Sequence, residues 1–180
     1  MGPESTYMYG EYVPQKRGGG KKKLVLLIIV LAALAIAALV LFLVQALNKA
    51  PATAEEFIAA VEERGLAWED NRAEFSPEDQ ALLETGICAR AGGWQAEFYQ
   101  LAGTSAANRY FSSITSVFDA EVPSPRASFH ASAGSYAAYS LTAPNGSYYF
   151  VSCIGSTVLL AVADDGYKEE AKALIKALGY

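Results

Sequence analysis

Hydrophobic and polar positions follow three rhythms along this chain. From Leu24 to Val44 apolar residues run on without a charge, a Gly or a Pro. As a helix rising about 1.5 Å per residue the run is ~31 Å long, which matches a hydrocarbon core of roughly 30 Å and predicts one transmembrane helix. Past the span the rhythm is that of a surface helix. Thr53-Ala54-Glu55-Glu56 reads as a capping box, Phe57, Ile58 and Val61 follow at helical spacing, and Gly65 is the natural stop. Ser76-Pro77-Glu78-Asp79 predicts a second, short helix.

From Thr85 the period becomes two. Residues 87–91 and 94–101 flank Gly92-Gly93, a pair suited to a two-residue hairpin turn. Helical spacing then returns behind Thr104 or Ser105, the predicted cap, with Ala107, Tyr110, Phe111, Ile114, Val117 and Phe118 on one face, and Pro123 and Pro125 end it. Residues 128–133, 135–143, 147–154 and 157–163 read as strands separated by Gly134, Asn145-Gly146 and Gly155-Ser156. Asp164-Asp165-Gly166 closes the last strand and caps a final helix carrying Tyr167, Ala171, Leu174, Ile175 and Leu178. Short turns make antiparallel neighbours. The expected fold class is α+β: one transmembrane helix, then an antiparallel five- or six-stranded sheet with helices packed on one face and the other face wet or used.

Charge sets the orientation. Residues 1–23 hold Lys16, Arg17, Lys21, Lys22 and Lys23 against Glu4 and Glu11, a formal +3, whereas residues 50–180 hold eight Lys or Arg against seventeen Asp or Glu, a formal -9. Cations before a span stay on the cytoplasmic side, and after it only Lys49 and Arg64 lie nearby. The expected layout is a disordered basic cytoplasmic tail (1–23), a signal-anchor helix (24–47), a linker (48–52) and an extracytoplasmic domain (53–180). A cleaved signal peptide is the rival reading, but its apolar region would be 7 to 15 residues and Pro51 spoils the small-residue site at Ala50-Pro51-Ala52. The acidic domain argues against nucleic acid as a partner. Tyr7, Tyr9 and Tyr12 suit a membrane interface better than a docking motif, and Ala33 with Ala37 offers a small-residue face for helix pairing.

Candidate chemistry is sparse. His130 is the single His, on a predicted edge strand with no acid near it in sequence, and no zinc spacing, P-loop, GxGxxG or nucleophile elbow occurs. No catalytic residue, metal or cofactor is assigned. Asn145-Gly146-Ser147 fits a glycosylation pattern formally but is better read as a hairpin turn. Strand parity puts Cys88 and Cys153 on one side of the sheet, so a disulfide closing a long loop, worth ~4 kcal/mol by chain entropy, and two separate thiols both stay open. Without a CxxC, redox catalysis is disfavoured. The same parity puts Tyr99 and Tyr149 on the open face, joined by Tyr136 or Tyr139 but not both, as an aromatic platform for a peptide or glycan.

AEFYQLA before a helix ending in SITSVF, then GSYAAYSLT, YYFVSCIGSTVLLAVAD and a terminal KALGY, behind a basic tail and one span, resembles a loosely defined group of single-pass membrane proteins of Gram-positive bacteria with a small extracellular α+β domain. Some members carry an N-terminal zinc ribbon. Residues 1–23 contain no Cys, so no metal role carries over, and the resemblance implies no activity. The expected function is a membrane-anchored binding or envelope-sensing domain. Its recognition surface would be the open sheet face or a groove beside the helix from Ser105 to Phe118. The partner would be a protein, peptide or glycan outside the cell, with an accessory subunit of a membrane complex as the alternative. An envelope hydrolase or thiol enzyme is the least favoured class.

Overall fold

The structure, a computed structural model, describes residues 27–38 and 50–180. Residues 27–38 are helical (α1), inside the predicted span, and the chain divides between Phe42 and Leu43 into two units. Among the described residues no helix is long and apolar enough to cross a membrane. The rest of the predicted span, the basic tail with its tyrosines, and the linker up to Lys49 lie outside the described residues.

The second unit is α+β. In chain order it contains α2 (Ala54–Glu62), β1 (Ala67–Asp70), α3 (Pro77–Gln80), β2 (Leu83–Ala91), β3 (Trp94–Leu101), α4 (Thr104–Glu121), β4 (Ala127–Ala133), β5 (Tyr136–Thr142), β6 (Tyr148–Ile154), β7 (Thr157–Ala163) and α5 (Lys168–Ala177). The seven strands form one antiparallel sheet in the order β1-β2-β3-β7-β6-β5-β4, two meanders joined where β3 pairs with β7. The expectation of five or six strands falls short by β1. That strand is four exposed residues, Ala-Trp-Glu-Asp, and its place in the sheet comes from pairing with β2 and not from burial of alternate side chains.

Turn and cap chemistry accounts for much of the layout. Thr53 Oγ1 accepts from the Glu56 N–H while Glu56 Oε2 accepts from the Thr53 N–H, a complete capping box. Ser76 caps α3, with Pro77 in its first turn. Gly92, with φ +55°, opens the β2–β3 turn, a conformation that L side chains rarely adopt. The expected cap at Thr104 or Ser105 is not used: Gly103 stands at the cap position without a side-chain bond, and Thr104 is already helical. The β5–β6 connection is wider than a two-residue turn, because the Ala143 carbonyl accepts from Gly146 while the Ala143 N–H donates to Ser147 across Pro144 and Asn145.

Helices cover both faces of the sheet, which corrects the one-face expectation. On one face α2 and α5 bury Phe57, Val61, Leu174 and Ile175 against Ile87, Phe98, Phe150 and Leu159, with the Phe57 and Phe98 rings stacked at 5.6 Å. On the other, α4 buries Ala107, Phe111 and Phe118 against Tyr99, Leu141, Val151 and Val158. The sequence had already shown two amphipathic helices on either side of the hairpin. A crossing from β3, which borders β7 at the near end of the second meander, to β4 at its far end takes α4 over the sheet, and the face free of α2 and α5 is the one that needs cover.

Candidate functional site

The predicted platform is not assembled. Tyr99 and Tyr149 do share a face, but it is the face closed by α4. Tyr99 is 2% exposed, and Tyr149 meets Phe118 of α4 edge-on at 5.2 Å. Tyr136 packs on the opposite face, against the core of α2 and α5, and Tyr139 is the residue on the α4 side.

Of the two readings left open for the cysteines, the structure has the separate thiols. Cys88 and Cys153 are both buried free thiols. They lie on β2 and β6, separated by β3 and β7, so three spacings of about 4.8 Å hold them roughly 14 Å apart, beyond the ~7 Å reach of a disulfide. Burial pushes the Cys88 thiol up to about 11, with the nearby Glu97 charge adding to the rise, and burial raises Cys153 too. Cys153 Sγ donates to Asn108 Oδ1 of α4 at 3.4 Å. Protonated and enclosed, these thiols are poor nucleophiles. His130 is exposed on the edge strand β4, edge-on to the Tyr139 ring at 6.2 Å. Among the described residues no group of three His, Cys, Asp or Glu side chains converges as metal ligands would.

A recess does open beside α4. Its cavity, about 360 Å³, lies between α3, the start of β2, the end of β3 and the first half of α4. Leu83, Leu101 and Ala106 form a buried apolar floor, and Phe75 and Tyr110 are its half-buried aromatic walls. Asp79, Arg109 and Ser113 stand exposed at the rim, so an apolar hollow is bordered by both signs of charge. Volume and lining fall in the range typical of small-ligand or side-chain sites.

Behind the aromatic wall is a polar cluster. The Tyr99 ring meets Phe75 and Tyr110 edge-on at 5.5 and 5.1 Å, which fixes the wall from behind. The Tyr99 hydroxyl donates to Glu97 Oε2 and accepts from Asn71 Nδ2 at 3.1 Å, and Gln95 Nε2 donates to Glu97 Oε1 at 2.8 Å. Burial raises Glu97 above the ordinary glutamate range, opposed by the Tyr99 hydrogen bond, and burial raises Tyr99 strongly and Tyr110 to about 12. Asn71 is 3% exposed, and its Oδ1 has no hydrogen-bond partner among the described residues.

Sequence reasoning had singled out the helix beside this groove, and Tyr110 as a core-facing position. It missed Glu97, whose parity with Tyr99 was readable, and Asn71, which lies in a stretch without periodicity. No family model, curated protein or solved structure matches the chain.

Proposed function

We propose that this protein is a membrane-anchored recognition protein. Its acidic α+β domain faces outward, and the groove between α3 and α4 takes an apolar side chain from an extracellular polypeptide. The observation that carries this reading is the pairing of an apolar floor at Leu83, Leu101 and Ala106 with a charged rim at Asp79 and Arg109. Such a hollow accepts a hydrophobic anchor while the rim engages the polar backbone and flanking charges of a polypeptide, which a bare hydrocarbon would lack. The rim is exposed and the floor is rigid, being strand ends and the first turns of α4, so little has to be ordered when the site is filled. The anchor itself rests on the apolar run from Leu24 to Val44 and the cations before it.

The test uses the full chain in lipid nanodiscs and a random decapeptide display library. Wild-type protein is expected to enrich peptides with a central apolar residue, and Ser113→Trp, which plugs the mouth from an exposed rim position, to weaken them by tenfold or more, or about 1.4 kcal/mol. Equal retention by both proteins removes the groove from the reading. If nothing binds but a larger membrane complex co-purifies under gentle solubilisation, the accessory-subunit role replaces it.

A further inference from the structure

We propose that β4 is a seam at which two copies of this chain pair edge to edge, antiparallel, about a two-fold axis through His130. Strand β4 is the last in the sheet order, and its outer edge has no partner strand among the described residues. The β4–β5 hairpin closes on the two-residue turn Gly134-Ser135, with Ala133 opposite Tyr136. Residues flanking such a turn form a hydrogen-bonded pair, and alternation along the ladder then turns the backbone groups of Ala131, Phe129 and Ala127 inward to β5. The N–H and C=O groups of Ser128, His130 and Ser132 therefore face out.

Devices that normally blunt an edge are missing from β4. Its register with β5 runs unbroken from Ala127 opposite Thr142 to Ala133 opposite Tyr136, without a bulge, and its sequence, Ala-Ser-Phe-His-Ala-Ser-Ala, has no Pro, Lys, Arg, Asp or Glu. The opposite edge shows what protection looks like here. There β1 is four residues long and carries Glu69 and Asp70, each held by an arginine, Glu69 by Arg90 at 2.8 Å and Asp70 by Arg72 at 2.6 Å.

The occupant is identified by fit and charge. A two-fold through His130 brings all of β4 into register with its copy: Ser128 faces Ser132, and Phe129, 58% exposed, faces Ala131. Large meets small on one side of the sheet, and two hydroxyls meet on the other. Arg126, just before the strand, falls opposite Gly134, so the pairing sets no like charges against each other. A domain of formal charge -9 repels its own copy over most of its surface, and β4 is a neutral strip along which two copies can close.

Full-length protein in nanodiscs holding two copies, treated with a mild oxidant, tests the seam. Cys88 and Cys153 are buried, so an introduced thiol is the reactive one. His130→Cys is expected to give a disulfide-linked dimer, and Ser128→Cys is not, because its two copies would lie roughly 14 Å apart along the strands. In detergent, light scattering should report a dimer whose dissociation constant rises tenfold or more in His130→Pro, which removes an outward N–H from each copy where edge strands tolerate Pro. Phe129→Lys, at an exposed position, should act in the same direction if the Pro variant misfolds. Equal crosslinking of the two Cys variants, no crosslink at 130, or a dimer untouched by both strand substitutions would overturn the seam; the last would assign any dimer to the apolar helix.

Discussion

Glu97 brings a carboxylate to a sheet face otherwise lined by Tyr99, Leu101 and Cys88, and its burial has a sign that can be measured. Its folded pKa is raised above the ordinary value of 4.5, so as pH climbs from that value the unfolded chain releases this proton before the native state does. Over that window the native state binds more protons, and stability falls as pH rises through the folded pKa. Thermal melts of the full chain from pH 4.5 to 7.5 should therefore show the wild type losing ground to Glu97→Gln, whose amide oxygen can still accept from Tyr99. Parallel curves would show that Glu97 is solvated. Gly86 is a second point of high residue-scale stakes. A Cβ there would lie 2.7 Å from Asn71 Oδ1, a buried atom without a hydrogen-bond partner among the described residues, and 3.1 Å from the Arg72 side chain. Gly86→Ala must displace the Asn71 amide that donates to Tyr99, and a loss of about 1–3 kcal/mol is expected in chemical denaturation. An unchanged midpoint would mean that Asn71 relaxes freely.

At the scale of elements, the best-determined piece is the start of α2. Thr53→Ala removes the acceptor for the Glu56 N–H and should cost about 1 kcal/mol, a fall in Tm of roughly 3–5 °C for a domain of this size, with Thr53→Ser close to wild type. This helix, the two hairpins at Gly92-Gly93 and Gly134, and the amphipathic face of α4 were legible because each is written in local chemistry: a cap, a turn glycine, a period. Strand β1 was not, since Trp68, Glu69 and Asp70 bury nothing in alternation and are strand only through Ala89, Cys88 and Ile87 opposite them. Strand order was not legible either. Parity along a strand places Cys88 and Cys153 on one face, but it cannot reveal that β3 and β7 stand between them. The open face proposed for Tyr99 and Tyr149 failed for the same reason: the period of α4 shows that it covers something, while its crossing from β3 to β4 decides what. The groove was half legible, as a site beside α4, and its floor was hidden because Leu83 and Leu101 meet only across the β2–β3 pair.

On the scale of the whole molecule, the buried thiols convert topology into a clean labelling experiment. Folded wild-type protein should resist maleimide, since Cys88 and Cys153 are enclosed and burial raises the pKa of both thiols, so background is low and a single added cysteine reports its own compartment. Glu170 is exposed on α5, and Gly19 lies just before Lys21, Lys22 and Lys23 of the tail. On the proposed reading, five cations ahead of the apolar run, against Lys49 and Arg64 behind it, would hold the tail inside. A membrane-impermeant maleimide added to intact cells should therefore label Glu170→Cys at once and Gly19→Cys only after lysis. The reverse pattern would put the groove in the cytosol, where no extracellular polypeptide reaches it, while the edge at β4 would still be free to pair. Replacing Lys21, Lys22 and Lys23 with Gln weakens the bias without touching the domain, and a mixed population labelled at both sites is the expected result.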